Sequence, residues 1–269
     1  MLVAVTRSTR EAAVLLGTVA IEPNRWTRDV EASSILAVSE WFAVVAEAGF
    51  DGVELWERHV TSASSQEQQA IIDHALSVSV FNSYVSLDDP DPAARAGVAD
   101  WAARCGSTGI KFNVGKDLDA GFYADRIAEW VDLLAGNCRL LCECHHGISI
   151  AEDPATAAKI FEAAGPRERV QAIVHTHEDP DDIRARFDAY GDRITHVHVN
   201  FLDFTNGLAP RLSDVVDEFA TKVELLTQLG FDGSWTLEFV EGVRTDNDEA
   251  GYLVAQAIDD LAVLRSVLA

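Results

Sequence analysis

Eight short apolar runs, each followed by an amphipathic stretch, predict an α/β protein built as a single (β/α)8 TIM barrel over residues 1–269. Strict alternation of the two patterns argues for a parallel sheet, and a count of eight argues for closure. No Pro/Gly/Ser-rich linker or low-complexity tract divides the chain. An internal repeat points the same way. Ala48-Gly49-Phe50-Asp51-Gly52-Val53-Glu54 and Leu229-Gly230-Phe231-Asp232-Gly233-Ser234-Trp235 each read as helix end, glycine stop, Phe-Asp-Gly turn and strand.

Residues 1–13 read as an N-terminal extension, and the apolar run 14–21 as the first strand. Residues 34–49 carry Ile35, Val38, Trp41, Phe42, Val45 and Ala46 at helical spacing, with Gly49 as the stop. Residues 51–56 form the second strand, ending in the charged Glu57 and His59. A helix over 66–76 precedes the third strand, 78–85, where β-branched and aromatic residues alternate with Ser and Asn. Helix 92–105, strand 109–114 and the amphipathic helix 121–135 follow. Strand 139–144 leads to Asp153-Pro154, a helix start with Asp as N-cap and Pro at the first position. That helix runs to about 164, and strand six covers 170–174. Asp179-Pro180 repeats the start signal for a helix bearing Ile183, Phe187 and Tyr190. Strand 194–199, helix 212–229, strand 234–239 and helix 251–268 complete the eight units.

The chain carries 44 acidic residues against 21 basic ones, a net charge of −23, and only four lysines. Such a surface repels polyanions and argues against nucleic acid as a partner. No apolar run approaches the ~20 residues of a membrane span. The start of the chain lacks the basic-then-apolar pattern of a signal peptide, so a cytoplasmic protein is expected. Cys142 and Cys144 alternate with Glu143, which predicts buried thiols behind the sheet rather than a metal pair.

The chemistry gathers at strand ends. Leu140-Leu141-Cys142-Glu143-Cys144-His145-His146 turns from apolar strand to carboxylate and imidazoles. Ile194-Thr195-His196-Val197-His198-Val199-Asn200 places His196, His198 and Asn200 on one face. Trp235-Thr236-Leu237-Glu238 ends in a lone carboxylate. In a parallel barrel these ends converge on one rim, which predicts Glu143, His198 and Glu238 as ligands of one divalent metal (Mn, Zn, Co or Fe). Strand six ends in His175-Thr176-His177-Glu178, so His175, or next to it His177, is expected to complete the set. His196 lies deeper, where a hydrogen-bonded core histidine is the competing reading. Glu241 reads as a solvated loop charge.

On the Gly49-Phe50-Asp51-Gly52-Val53-Glu54 phrase and the strands holding Glu143, His198 and Glu238, the chain resembles the xylose isomerase-like TIM barrels over roughly residues 15–265. That superfamily includes sugar isomerases and epimerases, dehydratases and class II AP endonucleases. The resemblance implies metal ligation by Glu143, His198 and Glu238. It departs at strand six, where the family usually has Asp followed three residues later by His. Dimers and tetramers are common in the family, so a homodimer or homotetramer is a possible assembly.

The expected function is a metal-dependent isomerase or epimerase of a sugar or keto-sugar. Glu143 and Glu238 would move a proton next to a carbonyl through an enediolate. Glu54, Lys111, His145, His146, His177 and Asn200 are candidates for substrate hydroxyls, with Trp56 and Phe201 for stacking. Two alternatives stand beside it: a keto-sugar or keto-polyol lyase or dehydratase on the same site, and an inactive sugar-binding barrel.

Overall fold

In the computed structural model, which describes residues 12–25, 34–203 and 205–269, eight parallel strands close into a barrel in sequence order. They are β1 Val14–Gly17, β2 Gly52–Trp56, β3 Val78–Asn82, β4 Gly109–Phe112, β5 Arg139–Cys142, β6 Val170–His175, β7 Ile194–Val199 and β8 Ser234–Leu237. Closure is made by β1 against β8, with Leu15 beside Thr236. The helices are α1 Ser39–Ala48, α2 Arg58–Thr61, α3 Ser65–Asp73, α4 Pro92–Arg104, α5 Ala120–Leu133, α6 Pro154–Ala164, α7 Pro180–Tyr190, α8 Val216–Gln228 and α9 Ala250–Leu268. Among the described residues no helix is long and apolar enough to cross a membrane.

The start signals act as their chemistry dictates. Asp91, Asp119 and Asp153 accept hydrogen bonds from the first-turn amides of Ala93, Phe122 and Thr156. Asp179 makes no such bond, and α7 nevertheless begins at Pro180. The repeated phrase forms two like turns. Gly49 and Gly230 adopt φ values of +100° and +87°, and the amides of Phe50 and Phe231 return to Val45 and Leu226.

Several boundaries differ from expectation. The first strand stops at Gly17, and residues 18–21 form a 3-10 turn whose Thr18 hydroxyl accepts the Trp56 amide at 2.9 Å. Helix α1 starts at Ser39 rather than 34, because Ser34 is tied to Glu22 and His59. Of the expected N-terminal extension, residues 1–11 lie outside the described residues. Ala13 belongs to the barrel, its carbonyl accepting the Trp235 amide.

Inward and outward side chains alternate along the strands. Outward residues such as Val14, Leu16, Val53, Leu55, Leu140 and Cys142 form the main core under the helices, whereas Leu15, Val80, Leu141 and Ile173 form a separate apolar cluster. The seam is fastened from outside. Asp51 accepts the Val14 amide at 2.7 Å and Arg265 of α9 at 2.6 Å, and Arg265 also donates to the carbonyls of Ala12 and Gly49.

Candidate metal centre

Glu143, His175, His198 and Glu238 come together at the C-terminal rim of the barrel, from β5, β6, β7 and β8 or the residue just past the strand. Their ligand-type atoms all lie within 4.8 Å of one another. Glu143 Oε1 stands 3.3 Å from His175 Nε2 and 3.5 Å from His198 Nδ1. Glu238 Oε1 stands 3.3 Å from His198 Nδ1, and its Oε2 4.0 Å from His175 Nε2. Four ligands about 2.1 Å from a Zn²⁺-sized ion in a tetrahedron sit roughly 3.4 Å apart, so these separations suit a first-row dication. Two carboxylates balance its charge. The buried His198 Nδ1 has no hydrogen-bond partner although two carboxylates face it, as a nitrogen reserved for a metal would be.

The two glutamates are held by matching amides. Asn113, one residue past β4, donates to Glu143 Oε2 at 2.7 Å. Asn200, one residue past β7, donates to Glu238 Oε2 at 2.9 Å, while its own Oδ1 accepts the Leu202 amide. Each carboxylate thus has its Oε2 anchored and its Oε1 turned to His198. Glu143 alone adds a cation, Lys111 Nζ at 2.5 Å. Burial pushes Glu143 up, but Lys111, His175 and His198 outweigh it and hold the carboxyl well below the usual range. Glu238 is also lowered: burial opposes, and His198 prevails.

Below the quartet, Glu54 is buried inside the barrel. Its Oε1 accepts from Asn82 at 2.9 Å, and its Oε2 lies 3.0 Å from His198 Nε2 and 3.3 Å from the Thr236 hydroxyl. Burial pushes this carboxyl up, yet His198 and His196 draw it well below its ordinary value. Glu54 therefore lies behind His198, on the side of the ring away from the quartet, instead of at the mouth. With Glu54, His196 and His198 make a second cluster of ligand type. There, however, His196 has both ring nitrogens bonded to hydroxyls, Ser234 at 2.7 Å and Thr236 at 2.8 Å. It is the satisfied core histidine of the competing reading.

The remaining residues divide between mouth and interior. His145, His146, His175, His177 and Glu178 line an open cleft of about 580 Å³ with Asp179, Asp182 and Arg186. The rings of His145 and His177 lie 6.3 and 5.0 Å from that of His175. His146, on the same cleft, is exposed and pairs with Glu152 at 3.1 Å. Trp56 is buried, with the Arg25 guanidinium 4.6 Å from its ring centre and His59 edge-on, so it offers no open stacking face. Phe201 packs edge-on against Phe219 of α8, on the helix side of the sheet. Glu241, expected in solvent, is bonded by the Tyr252 hydroxyl. Cys142 and Cys144 are buried behind the sheet with sulfurs 3.6 Å apart.

Sequence reasoning missed Asn113, Asn82 and Glu178. Asn113 had a findable signal: like Asn200, it sits one residue past a strand on the rim. Glu178 lies three residues after a strand-end histidine, the reverse of the Asp-then-His order expected there.

A family model for xylose isomerase-like TIM barrels matches residues 42–266. The chain belongs to that family. Among solved structures it is similar to the 3-keto-D-glucoside 4-epimerase YcjR from E. coli, at 17% identity and a TM-score of 0.63, covering 95% of this chain and 100% of that one. It is also similar to the probable 3-DHS dehydratase AsbF from Bacillus anthracis, at 16% identity and a TM-score of 0.62, covering 93% and 98%. The IolI protein, solved with a binding zinc atom, aligns at 12% identity and a TM-score of 0.63, covering 95% and 98%. At these identities the likeness is one of fold. None of the curated proteins matches the chain significantly.

Proposed function

We propose that the chain is a divalent-metal-dependent isomerase or epimerase of a sugar or keto-sugar. The observation that carries this reading is the pair of anchored carboxylates, Glu143 and Glu238, each turning one oxygen toward His198 Nδ1. Moving a proton between neighbouring carbons needs one group to remove it and another to return it, both fixed beside the substrate.

Glu143, His175, His198 and Glu238 would hold the ion, with Mn, Zn, Co and Fe as the candidates. When bound, it supplies a Lewis acid for a substrate carbonyl. The chain's own residues do the rest. Glu143 and Glu238 would take up and return the proton. Asn113 and Asn200 keep those carboxylates from swinging away. Lys111 neutralises Glu143 and offers charge compensation as the substrate becomes an enediolate. His145 and His177, at the cleft, are placed to meet substrate hydroxyls.

Glu143 Oε2 is taken by Lys111 and Asn113, so it is not free to bridge to a second ion. Together with the net charge of −23, this supports a single-metal sugar enzyme over a multi-metal nuclease. We propose a small carbohydrate as the partner.

The test is metal content followed by solvent exchange. Wild type is expected to carry about one ion per chain, and the Glu143→Gln/Glu238→Gln variant to lose it. Incubation with keto-sugars in D₂O should then place deuterium next to the carbonyl. Loss of a β-substituent instead would move the reading to a lyase or dehydratase. Absence of metal even after reconstitution would overturn it.

A further inference from the structure

Strand six is where the chain departs from the pattern the family resemblance implies, and the structure supplies a reason. The 175–178 segment is a tight turn closed by the Glu178 amide on the His175 carbonyl at 3.3 Å. The turn folds the Glu178 side chain back over the histidine that precedes it. Glu178 Oε1 accepts the His175 amide at 3.1 Å and lies 3.2 Å from His175 Nδ1. The opposite ring nitrogen, Nε2, faces Glu143 and Glu238.

Glu178 is itself fixed from three elements. Its Oε2 is ion-paired with Arg186 Nε of α7 at 2.7 Å. Arg186 in turn reaches the Tyr190 hydroxyl at 3.0 Å and the Cys144 carbonyl at 3.4 Å, just past β5. Lys222 of α8 donates to the Glu178 carbonyl. A carboxylate on the rear nitrogen of a ligand histidine fixes tautomer and ring plane and makes the front nitrogen a better donor.

We propose that Glu178 is a positioning residue that locks His175 with hydrogen on Nδ1 and Nε2 aimed at the metal. Glu178, itself compensated by Arg186, would thereby polarise from behind the ring the histidine that stands where a carboxylate is expected. The inference rests on the metal-centre reading above. It parallels Glu54 behind His198, so both ligand imidazoles carry a rear carboxylate.

The experiment is Co²⁺ titration against a chelating dye, with the visible Co²⁺ spectrum as a second readout, on metal-free wild type, Glu178→Ala, Glu178→Gln, His175→Asp and His175→Asp/Glu178→Gln. Glu178→Ala should bind Co²⁺ about 10–100-fold more weakly, with an altered spectrum. Glu178→Gln keeps the side-chain volume and carries the test if the alanine variant does not fold; a loss of about tenfold is expected. A group acting through His175 has nothing to act on once that ring is gone. Glu178→Gln should therefore have little further effect in the His175→Asp background, whereas a merely structural role would persist there. Wild-type binding with unchanged affinity in Glu178→Gln overturns this inference and leaves the quartet standing. No Co²⁺ uptake by wild type overturns the quartet and the inference together.

Discussion

The β4–β5 and β7–β8 pairs carry the same device. Asn113 follows β4 and holds Glu143 after β5; Asn200 follows β7 and holds Glu238 after β8. The arms differ in charge, since Lys111 sits 2.5 Å from Glu143 and, among the described residues, only histidines pair with Glu238. The comparison separates two tasks. The amides fix where each carboxylate points, and the lysine fixes the charge state of one of them.

Removing either carboxylate should do most harm. Glu143→Gln and Glu238→Gln are each expected to lower proton exchange by about 10²–10⁴-fold, read by deuterium incorporation. If one is nearly silent, the arms are not partners in transfer. Lys111→Met comes next, because breaking a buried ion pair costs about 3–5 kcal/mol. The metal-free variant should melt well below wild type, and added metal should recover more stability than it gives wild type. Equal gains would show that Lys111 does not neutralise Glu143. Asn113→Ala and Asn200→Ala should be milder and alike. Losing a hydrogen bond to a charged group costs about 1.5–3 kcal/mol, or roughly 10- to 150-fold in kcat if all of it falls on the transition state.

The smallest effect sharpens the contrast from outside the site. Asp260 is a buried carboxylate that accepts the Leu212 amide at 2.8 Å, and burial, only partly opposed by that amide and Arg211, raises it to about 6. A carboxyl raised on folding contributes stability below its unfolded pKa and loses it as pH rises through about 6. Asp260→Asn should therefore raise Tm by a few degrees at pH 8, with the gain vanishing near pH 4 in thermal scans. A constant gain at both pH values would remove titration as its cause.

The order of the eight strands, their closure and the convergence of Glu143, His175, His198 and Glu238 were legible because hydrophobic period and strand-end residues report them directly. Depth was not. Glu54 and Glu238 follow the same Phe-Asp-Gly phrase, but Glu54 comes two residues after Gly52 and Glu238 five after Gly233. At about 3.3 Å per residue, that difference of three drops Glu54 roughly 10 Å lower along its strand. It also shifts the parity: Val53 and Leu55 face the helices, as Trp235 and Leu237 do, although counted differently from their glycines. The placement of Trp56 and Phe201 was hidden for the same reason, since the facing of a residue at a strand end depends on where the ladder stops. Glu178 was hidden because its partner is reached through a turn rather than a period.

The Arg265 fastening has a consequence for the order of events during synthesis. β1 finds β8, and Asp51 finds Arg265, only after more than two hundred intervening residues have been made. Contacts of such sequence separation close late and slowly. A nascent chain emerging from the ribosome would thus hold β1 with one open edge until β8 arrives, and the seam unfastened until α9 follows, so pauses in translation before these segments would prolong the interval in which that edge can pair with another molecule.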